Sequence, residues 1–104
     1  MNEQCNSILE LLTDGLDKTK KEIASRMMFR MTQHLLEHRS EYKYNFEIVA
    51  YAMIYRLVRD NGEFTLNPTL MYNIYCEVYE STSGEDIEPK ACALACEKLK
   101  EIMF

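Results

Sequence analysis

FEIVAYAMIYRLV, residues 46–58, is the stretch that decides the fold. Eleven of its thirteen residues are apolar or aromatic, and Glu47 and Arg56 are its two charges. At helical spacing Phe46, Val49, Ala50, Met53 and Leu57 share one stripe. Ile48, Ala52 and Tyr55 fall on a second side, and Tyr51, Ile54 and Val58 on a third. A helix that is apolar nearly all round needs neighbours on several sides, so this segment belongs in the middle of a bundle. Spanning a bilayer takes about 20 apolar residues, more than are present. The reading is a soluble, all-α domain: a single compact bundle of about five helices around a buried central helix at 46–60.

Working outward, glycines and capping residues divide the rest. Upstream, Cys5, Ile8, Leu9, Leu12 and Leu16 recur at three- and four-residue steps and predict an amphipathic first helix. Ser7 to Glu10 fits a capping box, and Gly15 stands where a left-handed C-terminal cap belongs. Thr19-Lys20-Lys21-Glu22 predicts the opening of a long second helix that runs to about Ser40. Ile23, Met27, Met31 and Leu35 form its stripe, widened by Ala24 and Met28, with Phe29 and Leu36 to one side. Asn45 is the expected N-cap of the central helix, with Tyr44 and Val49 as a hydrophobic staple.

Downstream, Asp60-Asn61-Gly62 is a strong stop. Residues 63–66 read as a linker with Phe64 and Leu66 tucked inward. Asn67-Pro68 opens a fourth helix, Asn as cap and Pro in the first turn. Leu66 and Met71 again fit a staple, and Leu70, Met71, Ile74, Tyr75 and Val78 give its buried side. The polar loop Ser81–Gly84 ends it. Asp86 is the expected cap of a last helix with Pro89 in its first turn and Ile87, Ala91, Leu94, Ala95, Leu99 and Ile102 inward. With no repeat or internal boundary, residues 1–104 read as one domain.

The composition fits that reading. An apolar fraction of 47% beside 28% charged residues is that of a folded chain, and three Gly with two Pro leave room for long regular elements. The N-terminal MNEQCNSILELLTDG has no basic patch, apolar run or cleavage site, so no secretory signal is expected. Cys5, Cys76, Cys92 and Cys96 then read as reduced thiols of a cytoplasmic protein. Cys92 and Cys96 stand one helical turn apart, about 5–6 Å between Cβ atoms, too far for an easy disulfide.

The net charge of −5 is unevenly placed. Residues 1–59 hold nine Lys/Arg against eight Asp/Glu, whereas residues 60–104 hold three against nine. No cation lies between Arg59 and Lys90, while Lys18, Lys20, Lys21, Arg26 and Arg30 cluster upstream. An acidic total argues against direct nucleic-acid binding and against anionic membranes.

Few patterns carry chemistry. His34-Leu35-Leu36-Glu37-His38 matches the H-x-x-E-H of inverted zinc metalloproteases, in which two His one turn apart share a metal and a Glu acts as base. A metal-dependent hydrolase using His34, Glu37 and His38 is therefore one alternative, against two solvated His at a helix end. A structural zinc could join Cys92 and Cys96 to Cys5, Cys76 or the two His, but C-x-x-x-C in one helix is not the usual knuckle. No nucleophile turn or phosphate-cradling Gly loop occurs, so neither catalysis nor a metal or cofactor is expected. Lys20-Lys21-Glu22-Ile23-Ala24 could open a helix-turn-helix, giving a dimeric helical DNA-binding regulator as a second alternative.

Two features favour protein binding. The fourth helix carries Tyr72, Tyr75 and Tyr79 beside Glu77 and Glu80, and tyrosine is enriched at interfaces. Met27, Met28, Phe29 and Met31 supply more apolar surface than one stripe needs, which fits either core or a homodimer interface. The leading expectation is a small non-enzymatic regulator or inhibitor. It would dock on another protein with a basic surface, such as one with a nucleic-acid-binding cleft to fill, through Tyr72, Tyr75, Glu77, Tyr79, Glu80, Glu85, Asp86 and Glu88. Accessory proteins of viral or mobile-element type would fit by analogy.

Overall fold

The computed structural model describes residues 15–104, and every regular element among them is helical. Four α-helices follow in order: α1 (Lys18–Glu37), α2 (Phe46–Asn61), α3 (Pro68–Ser81) and α4 (Pro89–Met103), with a single 3-10 turn at Arg39–Glu41. The predicted first helix, with Ser7, Glu10 and Cys5, lies outside the described residues. The bundle is thus four described helices rather than the five expected.

The all-round apolarity of α2 is met by contact with α1, α3 and α4 alike. Nine of its residues are buried, from Phe46 to Val58, on all the sides that the spacing separates. Its C-terminus closes on Gly62 at φ 77°, with the Gly62 N–H donating to Val58 O at 2.9 Å. Lys20 Nζ donates to Arg59 O at 2.8 Å, placing a cation on the negative end of the α2 dipole. That bond also ties the start of α1 to the end of α2, so the two helices run antiparallel.

Several local expectations shift. Asp17, not Thr19, caps α1, its Oδ1 accepting from Lys20 N–H at 2.8 Å. α1 stops at Glu37, short of Ser40, because the chain tightens into the Arg39–Glu41 turn. Ala24, Met27, Met31 and Leu35 form its buried stripe, Ile23 and Met28 pack beside the core, and Phe29 and Leu36 are left exposed. Two of the four residues of the Met/Phe group are therefore core. In α4 the inward residues are Ala91, Cys92, Ala95, Cys96 and Leu99, while Leu94 and Ile102 face water. The helix is rotated so that its small residues, Ala and Cys, meet α2 and α3 closely.

Asn67 caps α3 as expected, accepting from Leu70 N–H at 3.2 Å, with Phe64 buried just before it. α3 ends in a Schellman turn: Gly84 N–H donates to Tyr79 O at 2.9 Å and Ser83 N–H to Glu80 O at 3.4 Å. Ser83 takes the left-handed conformation at φ 57° that this turn demands. The N-cap position of α4 is Glu88, not Asp86, which is pulled elsewhere.

Candidate functional site

The linker between α1 and α2 is laid against α3 by tyrosines. Tyr42 meets Tyr72 edge-on at 5.0 Å and lies tilted on Phe46 at 4.9 Å, and Phe46 meets Tyr72 edge-on at 5.0 Å. The Tyr72 hydroxyl accepts from Lys43 N–H at 3.3 Å. Tyr72 is thus half-buried glue between linker and helix. Edge-to-face geometry of this kind adds about 0.5–1.5 kcal/mol per pair beyond area burial.

Tyr75 is fully enclosed and Asp86 is buried with it. The Tyr75 hydroxyl donates to Asp86 Oδ2 and accepts from Asn45 N–H at 2.9 Å. Asn45 also donates to Asp86 from its backbone N–H at 3.3 Å and from Nδ2 at 3.2 Å. Asp86 therefore holds the start of α2 from across the fold, instead of capping α4. The Asn45 side chain is used here and makes no cap bond to its own helix. Two of the eight expected docking residues, Tyr75 and Asp86, are internal for this reason: a buried hydroxyl and carboxyl need partners, and they find each other.

Burial, and then the bond to Asp86, push the Tyr75 hydroxyl far above the ordinary tyrosine range, with the Asn45 N–H lowering it in part. Burial likewise pushes the Cys96 thiol up to about 12. Both groups stay protonated in the folded chain while the unfolded chain ionises from about pH 9 to 10 upward. Stability is therefore fully present below that range and falls as pH rises through it, by about 1.4 kcal/mol per pH unit for each group. Urea midpoints taken from pH 8 to pH 10.5 should fall, and Cys96→Ala should flatten the lower part of that fall; a flat wild-type profile would refute this.

What remains outward is different. Tyr44, 61% exposed, stacks on Tyr79 with centroids 4.0 Å apart and planes 15° from parallel. Tyr44 is held at φ 63°, a left-handed conformation that costs a residue with a Cβ about 1–2 kcal/mol. The expected partner of Tyr44 is Val49; its ring instead lies largely in water, on Tyr79. Gly84, at φ +88°, lies against the same Tyr79 ring: a Cβ there would stand 3.4 Å from Tyr79 Oη. Gly84→Ala should accordingly lower stability by about 1 kcal/mol, read as a fall in melting temperature.

Glu80 follows Tyr79, and Glu85 follows Gly84. Both are exposed, and neither has a salt-bridge partner among the described residues. Glu77 is exposed but paired with Lys98 at 3.6 Å, and Glu88 is exposed at the start of α4. The expected docking residues left outward are thus Tyr79, Glu77, Glu80, Glu85 and Glu88, joined by Tyr44 through its stack on Tyr79. The sequence marks Tyr44 only as half of a staple, because its stack on Tyr79 depends on how the linker lies against α3.

The H-x-x-E-H residues form no open ligand pair. The His34 and His38 rings stack at 4.3 Å. His34 Nε2 bonds the Tyr42 hydroxyl at 2.5 Å, and His38 Nδ1 lies 3.1 Å from His34 O. Among the described residues no group of three His, Cys, Asp or Glu is placed to hold a metal. Cys92 and Cys96 are buried in the core, and the Cys92 thiol donates to Asp86 O at 3.6 Å. α1 continues unbroken through Ile23 and Ala24, without the turn of a helix-turn-helix. No helix among the described residues is long and apolar enough to cross a membrane. Set against family models, curated proteins and solved structures, the chain matches none.

Proposed function

We propose that this chain is a non-enzymatic, protein-binding regulator or inhibitor whose docking surface is the Tyr44–Tyr79 stack with Glu80 and Glu85. The observation that carries the reading is Tyr44: a large aromatic side chain kept in water on a left-handed backbone, braced by a second ring. Backbone strain of this kind persists where surrounding structure imposes it, and it clusters at functional positions. Exposed tyrosines bring contact area, a polar tip and little entropy loss to an interface.

The charge says what the partner brings. Residues 60–88 hold seven carboxylates and no Lys or Arg. Glu80 and Glu85 thus face a partner with uncompensated negative charge. A basic protein surface complements them, and an Arg or Lys can also lie over a Tyr face. A basic surface that otherwise binds nucleic acid would be blocked by such a docking.

Extracts of the native cell passed over immobilised wild type and over the Glu80→Lys/Glu85→Lys double variant test the reading. A basic protein should be retained by wild type, released by moderate salt, and lost with the double variant. Retention of the same proteins by both would refute the assignment. With the partner in hand, Tyr44→Gly separates docking from folding. Relief of the left-handed strain offsets the lost stack, so stability should change by under about 1 kcal/mol while affinity falls more than about tenfold.

A further inference from the structure

Between the last turn of α1, the linker and the first turn of α2 lies a recess of about 180 Å³. Leu35, Leu36 and Phe46 supply apolar lining, and Arg39, Lys43 and Glu47 supply charge. An internal cavity of about 150 Å³ lined by apolar side chains accepts benzene, and this recess, open to solvent and lined by polar and apolar groups alike, is of similar volume. Leu36 is 52% exposed at its edge, an apolar surface left in water beside two cations. Neither Arg39 nor Lys43 has a salt-bridge partner among the described residues. Glu47 is differently placed, because its Oε1 accepts from the Tyr51 hydroxyl at 2.9 Å. That hydroxyl also meets Thr32 Oγ1 at 2.7 Å, so the Glu47 carboxylate is engaged on the α2 side.

We propose that this recess binds a carboxylate joined to a benzene-sized apolar group. The ring lies over the exposed Leu36, with the enclosed Leu35 and Phe46 behind it, and the carboxylate meets Arg39 and Lys43. Arg presents a planar fork that matches a carboxylate two-pronged, and Lys adds a point charge. Glu47 on the same wall disfavours a second negative charge on the ligand. Two sources offer this chemistry: a free aryl carboxylate, or an aromatic residue at the C-terminus of a partner chain. Tyr44 lines this recess as well as the acidic docking surface. The two readings part on charge: the recess takes an anionic ligand through Arg39 and Lys43, and variants at those two residues leave Glu80 and Glu85 untouched.

Amide chemical-shift titrations of the full chain decide it, with phenylacetate, benzyl alcohol, and acetylated tetrapeptides ending in Phe as free acid or amide. Phenylacetate and the free-acid peptide should give saturable shifts at Thr32, Leu36, Arg39, Lys43 and Glu47. Benzyl alcohol and the amide should bind about tenfold or more weakly. Arg39→Gln and Lys43→Gln, both surface changes, should each weaken carboxylate binding several-fold, and Glu47→Gln should tighten it. A tighter peptide points to a chain terminus, a tighter phenylacetate to a small molecule, and either supports the site. Absence of saturable shifts with both carboxylates, or equal binding of acid and amide, or indifference to the Arg39→Gln/Lys43→Gln double variant, overturns it.

Discussion

Asp86→Ala is expected to destabilise the fold by about 2–4 kcal/mol, which for a chain of this size is roughly 10–25 °C in melting temperature. The carboxyl of Asp86 is buried and accepts from the Tyr75 hydroxyl and from both nitrogens of Asn45. Its removal leaves the enclosed Tyr75 hydroxyl without an acceptor and unties the first residues of α2. Asp86→Asn keeps one oxygen and should cost less, about 1–2 kcal/mol. Tyr75→Phe removes the other half of the bond, so a double-mutant cycle between the two should show strong coupling. Thermal melts of the three variants check this. A change under 0.5 kcal/mol for Asp86→Ala, or additive effects, would mean that the two side chains do not share the bond (~0.5 kcal/mol being the usual limit for surface changes).

Leu57→Ala is expected to cost about 2–5 kcal/mol, whereas Leu94→Ala should cost less than about 1 kcal/mol. The substitution is the same in both; the surroundings differ. Leu57 is 1% exposed on α2, the helix that meets α1, α3 and α4, so truncation leaves a buried cavity that surrounding side chains fill poorly. Leu94 is 39% exposed on α4, where water fills the gap. Urea midpoints read the contrast directly. Equal costs would show that α4 is turned the other way, as its sequence periodicity predicts, with Leu94 and Ile102 inward.

The periodicity of α4 illustrates what a sequence leaves open. Ala91, Ala95 and Leu99 belong to both candidate stripes, and the choice lies between flanking Leu94 and Ile102 or flanking Cys92 and Cys96. Hydrophobicity ranks the larger pair first. Close approach to α2 and α3 favours the smaller one, and that approach exists only in the assembled bundle. The tyrosines of α3 show the same limit. Their acidic neighbours suggest a wet face, yet Tyr75 points between those neighbours into the core, where Asp86 arrives from a loop eleven residues later. Tyr79 alone of the three is braced outward, and by Tyr44, a residue whose sequence context suggests a staple.

The all-helical character of the described chain, the central place of α2, and the ends set by Asn67-Pro68 and Gly62 were determined by the amino-acid sequence alone. Each rests on interactions within a few residues: apolar spacing, a cap, a missing N–H, a left-handed stop. The pairing of Asp86 with Tyr75 and Asn45, the strained stack of Tyr44 on Tyr79, and the recess that gathers Arg39, Lys43 and Glu47 were decided only by the tertiary structure. Each of these joins groups from segments far apart in the chain, and a buried polar group or an exposed ring is defined by neighbours that local order does not specify.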